Sequence, residues 1–278
     1  TRGGAAMVCR CQPLPWRLGL RRRRLLKFAA QRRRLSGCSA ACCRLRPSRL
    51  LNLQSSPKCI YLMNHGATSA VCWRPSLDAK SGFCDHGVVR LRQRCATCRV
   101  VALDSEWTWH RTANNGVALL QLGFWPGGDV FCIRLRRPGA NRGELPQRPP
   151  KSIRVLFERA ARGEVAVVGF ALHEDRRRLA EHGLQLQRSG AMDLQPWCSN
   201  RAQRELGMQI SLKDAAFKFL GEDLDKGPRM SDWEGPLTHA QLRYAALDAW
   251  TALRLFGRRG SQTKNGDTGP VAEDQQHQ

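Results

Sequence analysis

The sequence predicts a mixed α/β fold, a sheet of antiparallel and parallel strands flanked by helices. Three observations carry that expectation. Apolar runs follow in quick order between residues 99 and 135, short apolar runs then alternate with helical patterns, and the C-terminal part reads as two capped helices.

RVVAL (99–103), GVALLQLGF (116–124) and DVFCIRL (129–135) read as strands of an antiparallel meander, the last two joined through the Pro-Gly turn WPGG. A Pro-, Gly- and Arg-rich loop (136–150) leads into the helix SIRVLFERAARG, with Ser152 as expected N-cap and Gly163 just past its end. VAVVGF (165–170) is the next strand. HEDRRRLAEHG reads as a helix stopped by Gly183, and AMDL (191–194) as a short strand after it. SLKDAAFKFLG has Ser211 and Asp214 in capping-box spacing and ends at Gly221. THAQLRYAALDAWTALRLFG repeats the device with Thr238 and Gln241 and is expected to end at Gly257. Residues 258–278 are polar and charge-balanced, hence expected to form a disordered tail.

The chain has 278 residues, 42% of them apolar, which is enough to build a core. Its formal charge of +23 is unevenly spread. Residues 1–77 hold 16 Lys or Arg and no acid, which leaves 30 basic and 23 acidic groups, a net of +7, in the remainder. Residues 1–98 show no sustained period and are expected to be a poorly ordered, basic segment outside a folded domain at 99–257. Three readings of that segment stay open: an organelle transit peptide, a basic tail for phosphate backbones, and a stretch that in part is not protein at all, the true start lying at Met7 or Met63. Ten of twelve cysteines lie at or before Cys98, unlike the framework of a small disulfide-rich domain. A reducing, intracellular location is expected: mitochondrion or plastid with a transit peptide, otherwise nucleus or cytoplasm. Cys95 and Cys98, with Cys84 and His86 upstream, match no zinc-finger spacing. No run approaches the ~20 apolar residues of a membrane span.

VVALDSEW (100–107) ends an apolar strand with two acids one residue apart. Side chains at i and i+2 share a face, so Asp104 and Glu106 project together. Adjacent carboxylates repel unless a cation lies between them, and a hard divalent ion accepts such oxygen ligands. In the last helix Tyr244 and Asp248 stand one turn apart on a face with Leu242, Ala245, Leu255 and Phe256. An inward carboxylate there is costly unless paired or metal-bound.

DSEW, VALLQLGF, VGFALHEDRRRL and SDWEGPLTHAQLRYAALDAWTALRLF, in that order, resemble the motifs of the DEDD-type 3'-5' exonucleases, whose fold is ribonuclease-H-like. YAALDA, with Tyr four residues before Asp, is similar to the subgroup that carries tyrosine in its last motif. HEDRRRLAEHGLQLQRSGAMDL and LDKGPRMSDWEGPLT resemble the Werner-exonuclease-like group. The resemblance covers residues 99–257 and implies a hydrolase acting at 3' ends of DNA or RNA with two divalent cations, Mg²⁺ or Mn²⁺. It makes Asp104 and Glu106 the first motif, Asp175 rather than Glu174 the second, and Tyr244 with Asp248 the third. The four acids would hold the cations, and Tyr244 would position the attacking water, since a phenol of pKa ≈ 10 is a poor base at neutral pH.

Weaker substrate contacts are implied at Leu120 and Gln121, with core packing the favoured reading of Leu120, at Lys226 as a phosphate contact or a plain surface charge, and at Trp107 as a stacking or partly structural residue. Trp233 and His173 read as packing residues, and Arg176, Arg177 and Arg178 as a solvated face or a phosphate-steering patch. Arg134 stands where the family has Asp, and Val167 or Val168 where it commonly has Lys, which touches substrate grip rather than metal binding. The rival reading is a nucleic-acid-binding module of the same fold without turnover. Oligomeric state is left open.

Overall fold

A computed structural model of the chain describes residues 56–64, 70–73, 82–83, 85–108, 116–125, 127–136, 148–187 and 190–262. Among them, strands β1 (Cys59–Met63), β2 (Ala70–Trp73), β3 (Gly82–Phe83), β4 (Val100–Glu106), β5 (Leu119–Trp125), β6 (Asp129–Arg134), β7 (Ala166–Gly169) and β8 (Ala191–Asp193) form one sheet ordered β3-β2-β1-β6-β5-β4-β7-β8. β4, β5 and β6 are the expected antiparallel meander, while β7 and β8 continue it in parallel from β4. The helices are α1 (Asp85–Thr97), α2 (Lys151–Ala161), α3 (His173–Glu181), α4 (Gln195–Cys198), α5 (Arg201–Glu205), α6 (Leu212–Leu220) and α7 (His239–Gln262), with a 3₁₀ turn at Gly227–Met230. None is long and apolar enough to cross a membrane.

The alternation of side chains along the central strands builds two cores. Val101, Leu103, Leu120, Leu122, Phe131 and Ile133 face one side, where they meet Leu91, Ile153, Leu156 and Leu179 from α1, α2 and α3. Val100, Ala102, Leu119, Val130 and Cys132 face the other, against α7. Ala245, Ala246, Ala249 and Ala252 are all fully buried, and such small side chains let α7 lie close on the sheet.

The fold begins earlier than residue 99, and the expected boundary is corrected. β1 lies parallel to β6, β2 and β3 extend the sheet beyond it, and α1 packs its buried Leu91 and Cys95 into the first core. At Gly87 an added Cβ would come within 2.5 Å of Ala70 Cβ, so α1 approaches β2 where it has no side chain. Asp129, 3% exposed, binds the layer together: Arg94 donates to it at 3.3 Å, and Arg90 lies 3.8 Å from it while donating to the Tyr61 hydroxyl at 2.7 Å. The signal was hidden because the buried stripe of α1 is Gly87, Leu91 and Cys95 among arginines, too weakly apolar to show a period. Residues 1–55 of the expected leader lie outside the described residues.

Two helix ends also differ from expectation. α2 starts at Lys151 behind Pro150, which accepts from the Ile153 and Arg154 amides, so Ser152 sits inside the helix rather than capping it. α7 runs past Gly257 to Gln262: Gly257 is itself buried, Arg259 beyond it reaches Met192 Sδ at 2.8 Å, and a single glycine weakens a helix by only about 1 kcal/mol. Residues 263–278 of the expected tail lie outside the described residues. The other two caps are formed as read: Ser211 accepts from the Asp214 amide, with Gly221 left-handed at φ 69°, and Thr238 exchanges bonds with Gln241.

Candidate active site

The pleat of β4 turns Asp104 and Glu106 toward α7, and α7 turns Asp248 back toward them. One ligand oxygen from each of these three residues lies within 4.8 Å of the others. Asp248 is buried, and Lys226 donates to both of its carboxylate oxygens at 2.8 Å. The Lys226 ammonium also stands 5.0 Å from the centre of the Tyr244 ring. Tyr244 stands one turn before Asp248 and is flanked by Trp233, ring centroids 5.9 Å apart.

Asp175 arrives from the opposite side of the sheet. Ser105 points the other way from its two acidic neighbours, and its hydroxyl donates to Asp175 Oδ1 at 2.5 Å. The adjacent Glu174 is half exposed and ion-paired with Arg177 at 3.0 Å, whereas Asp175 is 4% exposed. Asp104, Glu106, Asp175, Tyr244 and Asp248 all line one cleft of about 670 Å³ at the C-terminal end of β4. The structure thus brings together every residue of the three expected motifs.

The turn that aims α3 is strained. Ala171 has φ 59°, a left-handed conformation that costs a non-glycine residue roughly 1–2 kcal/mol. Gly169 before it has no room for a Cβ, which would lie 2.7 Å from the Leu103 carbonyl oxygen. No side chain of α3 caps its own N-terminus. Instead Asp193, at the end of β8, accepts from the amides of Ala171 at 2.9 Å, Leu172 at 3.0 Å and Gln195 at 3.0 Å.

Burial and crowding push the acids' pKa values upward. Asp104 rises well above the ordinary carboxylate range through burial first, then through Asp175, Asp248 and Glu106. Glu106 rises through burial and then Asp248. Asp248 rises through burial, with Lys226 offsetting part of the effect. Burial lifts Asp175 to about 6 against the opposing Ser105 hydrogen bond. Tyr244 is raised by burial and then by Asp248, so its phenol keeps its proton. An all-oxygen donor set with this much unrelieved negative charge fits a hard divalent cation, and the Lys226 ammonium on Asp248 is already one positive charge held there.

The expected substrate contacts fare unevenly. Leu120 is fully buried in the first core and does not reach the cleft, so that reading is corrected: its side chain alternates to the face away from Asp104. Gln121 pairs with Asp104 across the ladder but is also fully buried, donating to the Leu119 carbonyl at 3.3 Å. Lys226 does line the cleft, committed to Asp248. Trp107 lines it too, with the Arg178 guanidinium 4.3 Å from its ring centre. Trp233 is buried, with its backbone N–H on Thr108 Oγ1 at 2.9 Å, and packs the loop as read. Arg134 pins the same loop by donating to the Gly235 carbonyl at 2.9 Å. His173 is exposed and Cys95 and Cys98 are buried.

Sequence reasoning passed over three residues. Ser105 hides between the two acids, Asp193 sits in a short strand without a motif of its own, and Arg229 looks like any surface cation. Arg229 nonetheless lines the cleft and lowers the pKa of Glu106 and Asp248. Only the alternation of β4 could have flagged Ser105; the other two depend on contacts far apart in sequence.

The profile of a family described as 3'-5' exonuclease matches residues 84–259. Among solved structures, the chain is similar to the exonuclease domain of Nibbler from Aedes aegypti, at 25% identity over 64% of this chain and 84% of that one, with a TM-score of 0.49. It is similar to the catalytic core of RRP6 from Trypanosoma brucei, at 17% identity over 80% of this chain and 54% of that one, with a TM-score of 0.50. RNase D from Escherichia coli, an exoribonuclease involved in structured RNA processing, is similar at 21% identity over 65% of this chain and 44% of that one, with a TM-score of 0.45. The RRP6 similarity shows a shared ribonuclease-H-like fold, and this chain spans about half the length of that core. No curated protein matches the chain.

Proposed function

Because the chain belongs to the 3'-5' exonuclease family, we propose that it hydrolyses the terminal phosphodiester at the 3' end of a DNA or RNA strand, using two divalent cations, Mg²⁺ or Mn²⁺. Within the family we place it in the Tyr-bearing DEDD subgroup, in the Werner-exonuclease-like group near exonuclease 3'-5' domain-containing protein 2, on YAALDA and LDKGPRMSDWEGPLT. The observation that carries the proposal is the meeting of Asp104, Glu106 and Asp248 within 4.8 Å, in one cleft with Asp175 and Tyr244.

Asp104, Glu106, Asp248 and Asp175 would hold the cations, which when bound supply charge neutralisation at the phosphate and acidify a water. The protonated Tyr244 phenol acts as a hydrogen-bonding group that orients the attacking water, since its raised pKa rules out service as a base at neutral pH. Ser105 fixes the Asp175 carboxylate, and Trp233 fixes the Tyr244 ring. Arg229 adds a positive charge at the rim, suited to a phosphate of the incoming strand.

The test uses DNA and RNA oligonucleotides with free and blocked 3' ends, with Mg²⁺ or Mn²⁺. Stepwise shortening of the unblocked strands alone is the expected result. Binding without shortening would establish the silent module instead, and cutting of blocked strands an endonuclease.

Lys226 competes with metal for both oxygens of Asp248. Lys226→Gln is therefore expected to lower the Mn²⁺ concentration at half-saturation severalfold by calorimetry. It should also lower the melting temperature of the metal-free protein by a few degrees, because Asp248 is left buried without its cation.

A further inference from the structure

We infer that Asp193 is a positioning residue for Asp175, an inference that rests on the proposed function. Its carboxylate acts at a distance of about twenty residues in sequence, yet it holds the amides of Ala171 and Leu172, the two residues that lead into α3. One oxygen, Oδ1, accepts from the Ala171 and Gln195 amides, and the other, Oδ2, from the Leu172 amide. Those three bonds span the strained turn on one side and the start of α4 on the other, so β8, α3 and α4 share a single anchor.

The anchor matters because it sets where α3 begins. Leu172 is the residue before α3, and Asp175 lies in that helix's first turn with its carboxylate already fixed by Ser105. An Ala171 released from φ 59° would relax toward the right-handed region, swing the first turn of α3, and pull Asp175 from Ser105 and the cleft. Neither local sequence nor a cap within α3 opposes that relaxation. A displacement of about 1 Å at a reacting centre costs on the order of 10²-fold in rate.

The strain itself supplies the test. Glycine adopts positive φ as readily as negative, so a chain with Ala171→Gly has less need of the clamp. Asp193→Ala is expected to lower kcat by about 10- to 100-fold with little change in KM, and to weaken Mn²⁺ binding by calorimetry about as much as Asp175→Asn does. Asp193→Asn, which keeps Oδ1 as an acceptor but offers an N–H to the Leu172 amide, is expected to fall between that variant and wild type. Adding Ala171→Gly to Asp193→Ala should restore both kcat and Mn²⁺ affinity to within severalfold of wild type.

A role confined to stability would appear as a lowered melting temperature with kcat and Mn²⁺ affinity intact below the transition, and would overturn the inference. So would a loss of kcat that Ala171→Gly cannot restore, or a change in KM alone. Should wild type leave oligonucleotides intact, the proposed function falls, and the Mn²⁺ titrations of Asp193→Ala, Asp193→Asn and the double variant decide this inference by themselves. A wild type that binds no Mn²⁺ overturns both.

Discussion

Asp104→Asn will silence the protein and stabilise its metal-free form. Loss of turnover is expected at about 10³-fold or more, on the order of 4 kcal/mol, because this carboxylate sits at the centre of the acid cluster and feels Asp175, Asp248 and Glu106 together. The same crowding makes the ionised form costly in the fold, and a neutral amide removes that cost. The pH dependence comes from the direction of the shifts. A carboxyl whose pKa is higher in the folded than in the unfolded chain binds its proton more tightly when folded, so stability is greatest below the unfolded value and is lost as pH rises through the folded one. For Asp175 that window runs from 3.8 to about 6, and Asp104 and Glu106, both pushed well up, extend the loss to higher pH. Thermal melts in EDTA should show wild type weakening from pH 4 toward pH 8, and Asp104→Asn weakening less, so that the variant leads at neutral pH. Mn²⁺ should raise the wild-type melting temperature much more than that of the variant. A variant less stable than wild type at pH 8 in EDTA would contradict this account.

Deleting residues 1–98 will prevent folding, whereas a chain that starts at residue 56 will fold. Ile60, Tyr61, Met63, Leu91 and Cys95 are all at most 2% exposed, and each large apolar side chain removed from water contributes roughly 1.5–3 kcal/mol. Their sum is comparable to the ~5–15 kcal/mol by which a whole domain is stable. Removal would also bare the long edge of β6, with Phe131 stripped of its stacked partner Tyr61 at 4.8 Å, and leave Asp129 buried without Arg90 and Arg94. Soluble yield and far-ultraviolet circular dichroism of the two shortened chains decide the matter. A soluble, cooperatively melting chain that begins at Arg99 would show these contacts to be dispensable.

Much of the fold and of the cleft could be read from the residues themselves. The meander of β4 to β6 announced itself by three apolar runs, and α6 and α7 by Ser211, Thr238 and their partners three positions on. Asp104 and Glu106 were marked by the two-residue pleat, Tyr244 and Asp248 by one helical turn. Asp175 was separable from Glu174 only through a resemblance; the structure gives the physical distinction, one acid buried on Ser105 and the other in solvent on Arg177. What stayed illegible is non-local. β1 and β2 are five- and four-residue runs whose meaning depends on β6 lying alongside. Lys226 reads as a surface charge until α7 places Asp248 beneath it, and Asp193 as a strand end until its three amides are in view.

The two faces of the sheet contribute different halves of the cleft: Asp104, Glu106 and Asp248 from the α7 side, Ser105 and Asp175 from the α3 side. A chain in which only one of the two helical layers has packed onto the sheet therefore holds only part of this acid set.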